Sequence, residues 1–168
     1  MISRICFVVL SCSVLAACPG LNKNTTPTAT IACTVTKVSD GDTIGCTTAD
    51  KQFYTVRLAN IDAPEKKQDF GNAAKKYLGN LIFQKPVEIR LYSQDKYGRH
   101  IGEVYLADLN VNKYMVQHGY AWAYKEYLTD QEYVVLQDNA QTNKFGLWIA
   151  PNPMAPNLFR RSSTNQWE

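Results

Sequence analysis

Three short segments concentrate the side chains able to do chemistry: Asp40-Gly41-Asp42-Thr43, the run from Arg57 into Asp62-Ala63-Pro64-Glu65, and Asp95-Lys96-Tyr97-Gly98-Arg99. Two carboxylates brought together repel unless a cation or a proton lies between them. Hard oxygen ligands on loops suit calcium, which accepts irregular geometry and backbone carbonyls. Asp42 and Asp62 are therefore the candidate pair of metal ligands. Pro64 biases Ala63 toward an extended conformation, which could help turn a carbonyl toward such an ion. Glu65, three residues beyond Asp62, could reach a water bound to that metal and is the candidate general base. Arg57 and Arg99 could supply the planar guanidinium groups that stabilise a pentacoordinate phosphorane, so the chemistry this set suits is metal-assisted phosphodiester cleavage. Each motif also has a plain structural use: Asp-Gly is above all a turn, Asp before Ala-Pro is a common loop pattern, and an arginine on a strand is often a surface residue. His118, beside Gly119, suits a helix C-terminus, and His100 follows Arg99 into a strand, so neither is expected to be catalytic.

For Asp42 and Asp62 to meet, strands must deliver them to one edge. Residues 32–38, 43–47 and 53–59 are rich in β-branched or aromatic types and are separated by turn residues, with Asp40-Gly41 the strongest turn signal. A meander over these three segments places its first turn at the same edge as the exit of its third strand, so the two acids converge. Ala74, Tyr77, Leu78, Leu81 and Ile82 then fall at helical spacing, and that helix ends before Pro86. Strand character returns over 87–92 and 101–106, followed by a short helix over 111–118 stopped by Gly119 and a longer one over about 130–144 stopped by Gly146. Five strands with a helix between the third and fourth is the order of an OB-fold barrel, so the expected class is α+β, mainly β, with about three helices. Beyond residue 150, Pro151, Pro153 and Pro156 are expected to forbid regular structure, leaving a tail over 151–168 that wraps the barrel or hangs free.

A chain of 168 residues supports one domain with a real core but not comfortably two, which places the barrel at 31–150. The net charge of +3 favours a polyanionic partner only weakly, and the ten tyrosines lean slightly toward a surface able to stack on rings. Residues 1–18 read as a secretory signal: Arg4 near the start, an apolar run, then small residues before Cys18. The run is too short to span a bilayer, which takes about 20 apolar residues. Leu15-Ala16-Ala17-Cys18 resembles the bacterial lipobox, in which the cysteine after the cut receives acyl chains, so the expectation is an exported monomer anchored in the cell envelope through Cys18. An ordinary signal peptidase site, with secretion or periplasmic release, is the competing reading. Residues 19–30 are Asn, Thr and Pro with almost no apolar content and read as a tether. Cys33 and Cys46 then remain in the folded part, and an oxidising compartment suggests a disulfide. A two-residue turn at Asp40-Gly41 would set Val35 opposite Cys46 and leave the cysteines diagonal, beyond easy bridging without a bulge. Two free buried thiols are the alternative.

The run Val38-Ser39-Asp40-Gly41-Asp42-Thr43-Ile44, then Val56-Arg57-Leu58 with Ile61-Asp62-Ala63-Pro64-Glu65, then Asp95-Lys96-Tyr97-Gly98-Arg99 resembles the staphylococcal nuclease (thermonuclease) family in order, spacing and identity. The similarity covers about residues 32–149, including Val111-Asn112, Gly119-Tyr120-Ala121 and Gly146-Leu147-Trp148. The resemblance implies Ca2+ held by Asp42, Asp62 and the main-chain carbonyl of Ala63, with Arg57 and Arg99 on the scissile phosphate and Glu65 beside the attacking water. It implies an endonuclease acting on DNA and RNA, favouring single strands and leaving 3′-phosphate ends, with Lys96 and Tyr97 on a terminal phosphate. Three departures stand out: the stretch 66–70 is shorter than the corresponding loop of the namesake enzyme, Ala63 replaces a threonine, and Tyr124 and Tyr127 only lie near the positions of its two nucleotide-facing tyrosines. A non-catalytic OB-fold module that holds single strands, or an envelope interaction domain, is the rival reading.

Overall fold

The computed structural model describes residues 26–164. The predicted signal segment with Cys18, and residues 19–25 of the predicted tether, lie outside the described residues. Among the described residues no helix is long and apolar enough to cross a membrane. In chain order the elements are β1 (Ala29–Val38), β2 (Thr43–Thr47), β3 (Phe53–Leu58), β4 (Ile61–Asp62), α1 (Gly71–Ile82), β5 (Pro86–Gln94), β6 (His100–Leu106), β7 (Leu109–Asn110), α2 (Val111–Gln117), β8 (Trp122–Ala123), α3 (Glu132–Thr142) and α4 (Pro156–Thr164). The first three strands form the expected antiparallel meander. β1 also pairs with β5, β5 pairs with β6, and β6 returns to lie parallel against β3, closing a five-stranded mixed barrel. Closure leaves no open edge between these strands.

Alternation along the strands fills the barrel. Val35, Ile44, Val56, Ile89 and Val104 are fully buried, and α1 and α2 add Ala74, Leu78, Ile82, Val111, Met115 and Val116 to the same core. Because Val56 and Leu58 point inward, Arg57 between them points out of the barrel. In the parallel ladder Arg57 stands opposite Ile101, and Arg99 lies two residues earlier, on the same face. Closure of the barrel thus brings the two arginines to one cavity, although they lie far apart in sequence.

The first hairpin differs from the expected two-residue turn. Val38 pairs with Ile44 and the Ser39 amide donates to the Thr43 carbonyl, so the connection is one residue longer. A register shift at Thr36 takes up the extra residue, and Val35 still stands opposite Cys46. Cys33 and Cys46 are joined in a disulfide with their Cα atoms 5.7 Å apart, within bridging range despite the diagonal placement.

Two expectations need correction. Residues 29 and 30, assigned to the tether, belong to β1 and pair with Leu91 and Arg90. The tail after Pro151 is not devoid of regular structure, since α4 begins at Pro156. Proline is favoured at the first helical position because its missing N–H would have no partner there, and no proline follows over 157–168. Among the described residues there are therefore four α-helices, and the fourth contributes to the site.

Candidate active site

Arg57 leaves β3 into a cavity of about 900 Å3 at the barrel rim, whose wall also carries Asp42, Asp62, Glu65, Arg99 and Arg160. Its guanidinium is fixed on several sides. Nη1 donates to the carbonyls of Leu58 at 2.9 Å and Ile61 at 2.8 Å, while Nη2 lies 3.0 Å from Asp62 Oδ1 and 3.2 Å from Asp42 Oδ2. The two acids predicted to converge thus share one nitrogen. Both are buried, Asp42 at 7% exposure and Asp62 at 3%.

Local structure explains why they meet. Asp42 Oδ2 accepts from the Ala63 amide at 2.7 Å, and its Oδ1 accepts from the Thr43 hydroxyl. The Asp62 segment is held from the other side by the β4–β8 pairing, in which Asp62 faces Trp122. Gly41 permits the approach: a Cβ there would stand 2.7 Å from the Ala63 Cβ and 2.8 Å from the Ala74 Cβ. Gly71 does the same for the short loop after Glu65, since a Cβ would fall 1.9 Å from the Glu65 carbonyl oxygen. The loop closes on itself through Gln68, whose amide donates to the Glu65 carbonyl and whose Oε1 accepts from the Glu65 amide.

Arg99 is held differently. Asp95 accepts from the amides of Tyr97 and Arg99 and, at 2.8 Å, from Arg99 Nε. Using Nε leaves the Nη pair for a ligand in the cavity that Arg99 lines. Lys96 and Tyr97 line the same cavity, with Lys96 Nζ 5.1 Å and the Arg99 guanidinium 5.7 Å from the centre of the exposed Tyr97 ring. Tyr124 and Tyr127 also line the cavity, their rings 4.9 Å apart. Neither histidine reaches the cavity. His100 packs on Tyr54, and His118 packs on Tyr114 with its Nδ1 3.0 Å from the Tyr114 carbonyl.

Two residues of the site escaped the sequence reading. Asp40 stands on the cavity wall, and burial followed by the charge of Asp42 pushes its carboxyl up to about 6. Its signal in the sequence is the Asp-Gly-Asp spacing, which sets a second carboxylate two residues from Asp42. Arg160, from α4, places Nη1 3.1 Å from Asp62 Oδ1 and Nη2 3.0 Å from Asp62 Oδ2, and Nη1 also lies 2.7 Å from Glu65 Oε1. No pattern within the tail announced it.

The donor set fits a hard divalent cation. Every side-chain donor is a carboxylate oxygen, with the backbone of Ala63 beside them, and among the described residues no thiolate or imidazole lines the cavity. Burial pushes the Asp62 carboxyl above its ordinary value even against the hydrogen bonds of Arg160 and the charge of Arg57, and an added cation would relieve that cost. Among the described residues no three acidic, histidine or cysteine side chains form a ready-made cage. The arrangement is a carboxylate pair, which leaves coordination positions for water and substrate oxygens.

The closed five-stranded barrel, with acids and guanidiniums at one rim, is of the OB-fold type. Comparison with known proteins agrees. Residues 55–150 match the family described as "Staphylococcal nuclease homologue". An "Uncharacterized endonuclease" of Haemophilus influenzae is 44% identical over 154 residues, covering 92% of this chain and 82% of that protein. A protein of the same description from Escherichia coli O157:H7 is 43% identical over 127 residues, covering 75% of this chain and 82% of its own length. A "Micrococcal nuclease" of Shigella flexneri is 40% identical over 143 residues, with 78% and 81% covered. The chain belongs to the staphylococcal nuclease family.

Proposed function

We propose that the chain is a calcium-dependent endonuclease that hydrolyses phosphodiester bonds of DNA and RNA, favouring single strands and leaving 3′-phosphate ends, a finer reading of the nuclease hydrolase that family membership establishes. The observation that carries it is the shared Nη2 of Arg57, which brings Asp42 and Asp62 together on the cavity that Arg99 also lines. In this reading Asp42, Asp62 and the Ala63 carbonyl hold Ca2+, which when bound polarises a phosphoryl oxygen and acidifies water. Glu65 accepts the proton of the attacking water, whose oxygen forms the new bond to phosphorus as the bond to O5′ breaks and O5′ takes a proton from solvent. Arg57 and Arg99 hold the phosphoryl oxygens as negative charge builds on them. Lys96 and Tyr97 contact a terminal phosphate, and Tyr124 or Tyr127 offers a face to a base.

Export to the bacterial cell envelope, with lipid attachment at Cys18 and a monomeric domain outside the cytosol, completes the proposal. The disulfide between Cys33 and Cys46 supports it, because such bonds persist in oxidising compartments. The test is digestion of denatured DNA by protein lacking residues 1–18, at millimolar calcium and with a chelator control, run beside Glu65→Ala. Calcium-dependent cutting that Glu65→Ala abolishes supports the reading; binding without cutting would make the domain a holding module.

A further inference from the structure

The tail helix puts a cation where a metal would act. Arg160 grips both oxygens of Asp62 and one oxygen of Glu65, reaching Asp62 across 98 residues of sequence. Asp62 Oδ1 also accepts from Arg57 Nη2, so both lone pairs of that oxygen are engaged. Any divalent ion approaching Asp62 meets the positive charge of Arg160 at contact range. Glu65, meanwhile, has Oε1 held by the same guanidinium at 2.7 Å, so that oxygen is covered by Arg160 instead of facing a water.

The hold on α4 suits a removable part. It is a nine-residue helix, too short to be stable alone. Pro156 is buried and Phe159 half-buried, but Leu158 is 52% exposed, so the helix buries only part of its apolar surface. Upstream of it, the Met154 carbonyl accepts from Gln68 Nε2 at 2.6 Å, linking the tail to the loop that carries Glu65. The ion pair between Arg161 and Glu126 spans 4.0 Å and is exposed, so it adds little.

We propose that Arg160 is a built-in counter-cation of the carboxylate site, which a divalent ion must displace from Asp62 and Glu65. This rests on the reading that Asp42 and Asp62 hold the metal. Metal loading, release of α4 and exposure of Glu65 are then one equilibrium: the metal-free enzyme keeps its own base masked, and the tail sets the calcium concentration at which the site opens.

The experiment is calcium titration of the full chain by calorimetry, comparing wild type with Arg160→Gln and Asp62→Asn, together with amide hydrogen exchange over 156–164 with and without calcium. Arg160→Gln is expected to bind calcium roughly fivefold more tightly, as loss of a half-exposed ion pair allows. Calcium is expected to speed exchange in α4 of the wild type, a measurement that needs no variant to fold. If wild type binds calcium and Asp62→Asn does not, but Arg160→Gln binds no more tightly or α4 exchange slows or stays constant, the counter-cation idea is overturned while the metal site stands. If wild type and Arg160→Gln both fail to bind calcium, the metal reading falls and this inference with it.

Discussion

The two arginines of the cavity face the same space but are built on different foundations. Arg57 sits on a barrel strand with its guanidinium fixed by two carbonyls and two acids, and its side chain is 12% exposed. Arg99 sits at the end of a connection between strands, is oriented by a single carboxylate four residues earlier, and is 32% exposed. A group that neutralises two buried acids is part of the fold as much as of the site. A group held by its own loop can be spent on a ligand with little consequence for the barrel.

The largest expected effect tests that contrast directly. Arg57→Ala leaves Asp42 and Asp62 buried without their shared partner, so stability falls by about 3 kcal/mol and turnover by on the order of 10². Arg99→Ala should lose a similar factor of about 10² in turnover while the melting temperature moves by about 1 °C at most. Equal stability losses in the two variants, read by denaturant titration, would erase the distinction. Within the rigid half, replacing Cys33 and Cys46 by serine should lower stability by about 3 kcal/mol and leave activity per folded molecule unchanged. On the loop half, Asp95→Ala should release Arg99 and cost roughly tenfold in kcat/KM with little change in unfolding midpoint.

The smallest effect concerns Asp40. Its folded value of about 6 exceeds the ordinary 3.8, so its ionised form destabilises the metal-free fold at neutral pH, and the lost stability returns as pH falls from about 6 toward 3.8. Asp40→Asn can keep the bond from the Asp42 amide to Oδ1 and should raise the melting temperature in metal-free buffer by about 2 °C at pH 7, with less gain at pH 4. A larger gain at pH 4 than at pH 7 would reverse the assigned sign.

Much of this was legible before any coordinates. Runs of β-branched and aromatic residues and the Asp-Gly turn announce the meander, the spacing from Ala74 to Ile82 announces α1, and the meander alone predicts that Asp42 and Asp62 share an edge. The three prolines of the tail predict irregular structure, whereas Pro156 begins a helix. The hairpin turn was misjudged by one residue, yet Val35 still faces Cys46 because the irregularity at Thr36 compensates.

The elements and the short-range pairings within them follow from local sequence, because hydrophobic period, turn chemistry and carboxylates a few residues from their partners act between neighbours. What depends on closure is set by long-range packing. The parallel contact of β3 with β6 brings Arg99 and Arg57 to one cavity, and the return of α4 delivers Arg160 to Asp62 across 98 residues. Contacts at such separation follow from how a whole barrel closes and where its tail can pack, and no local pattern encodes them.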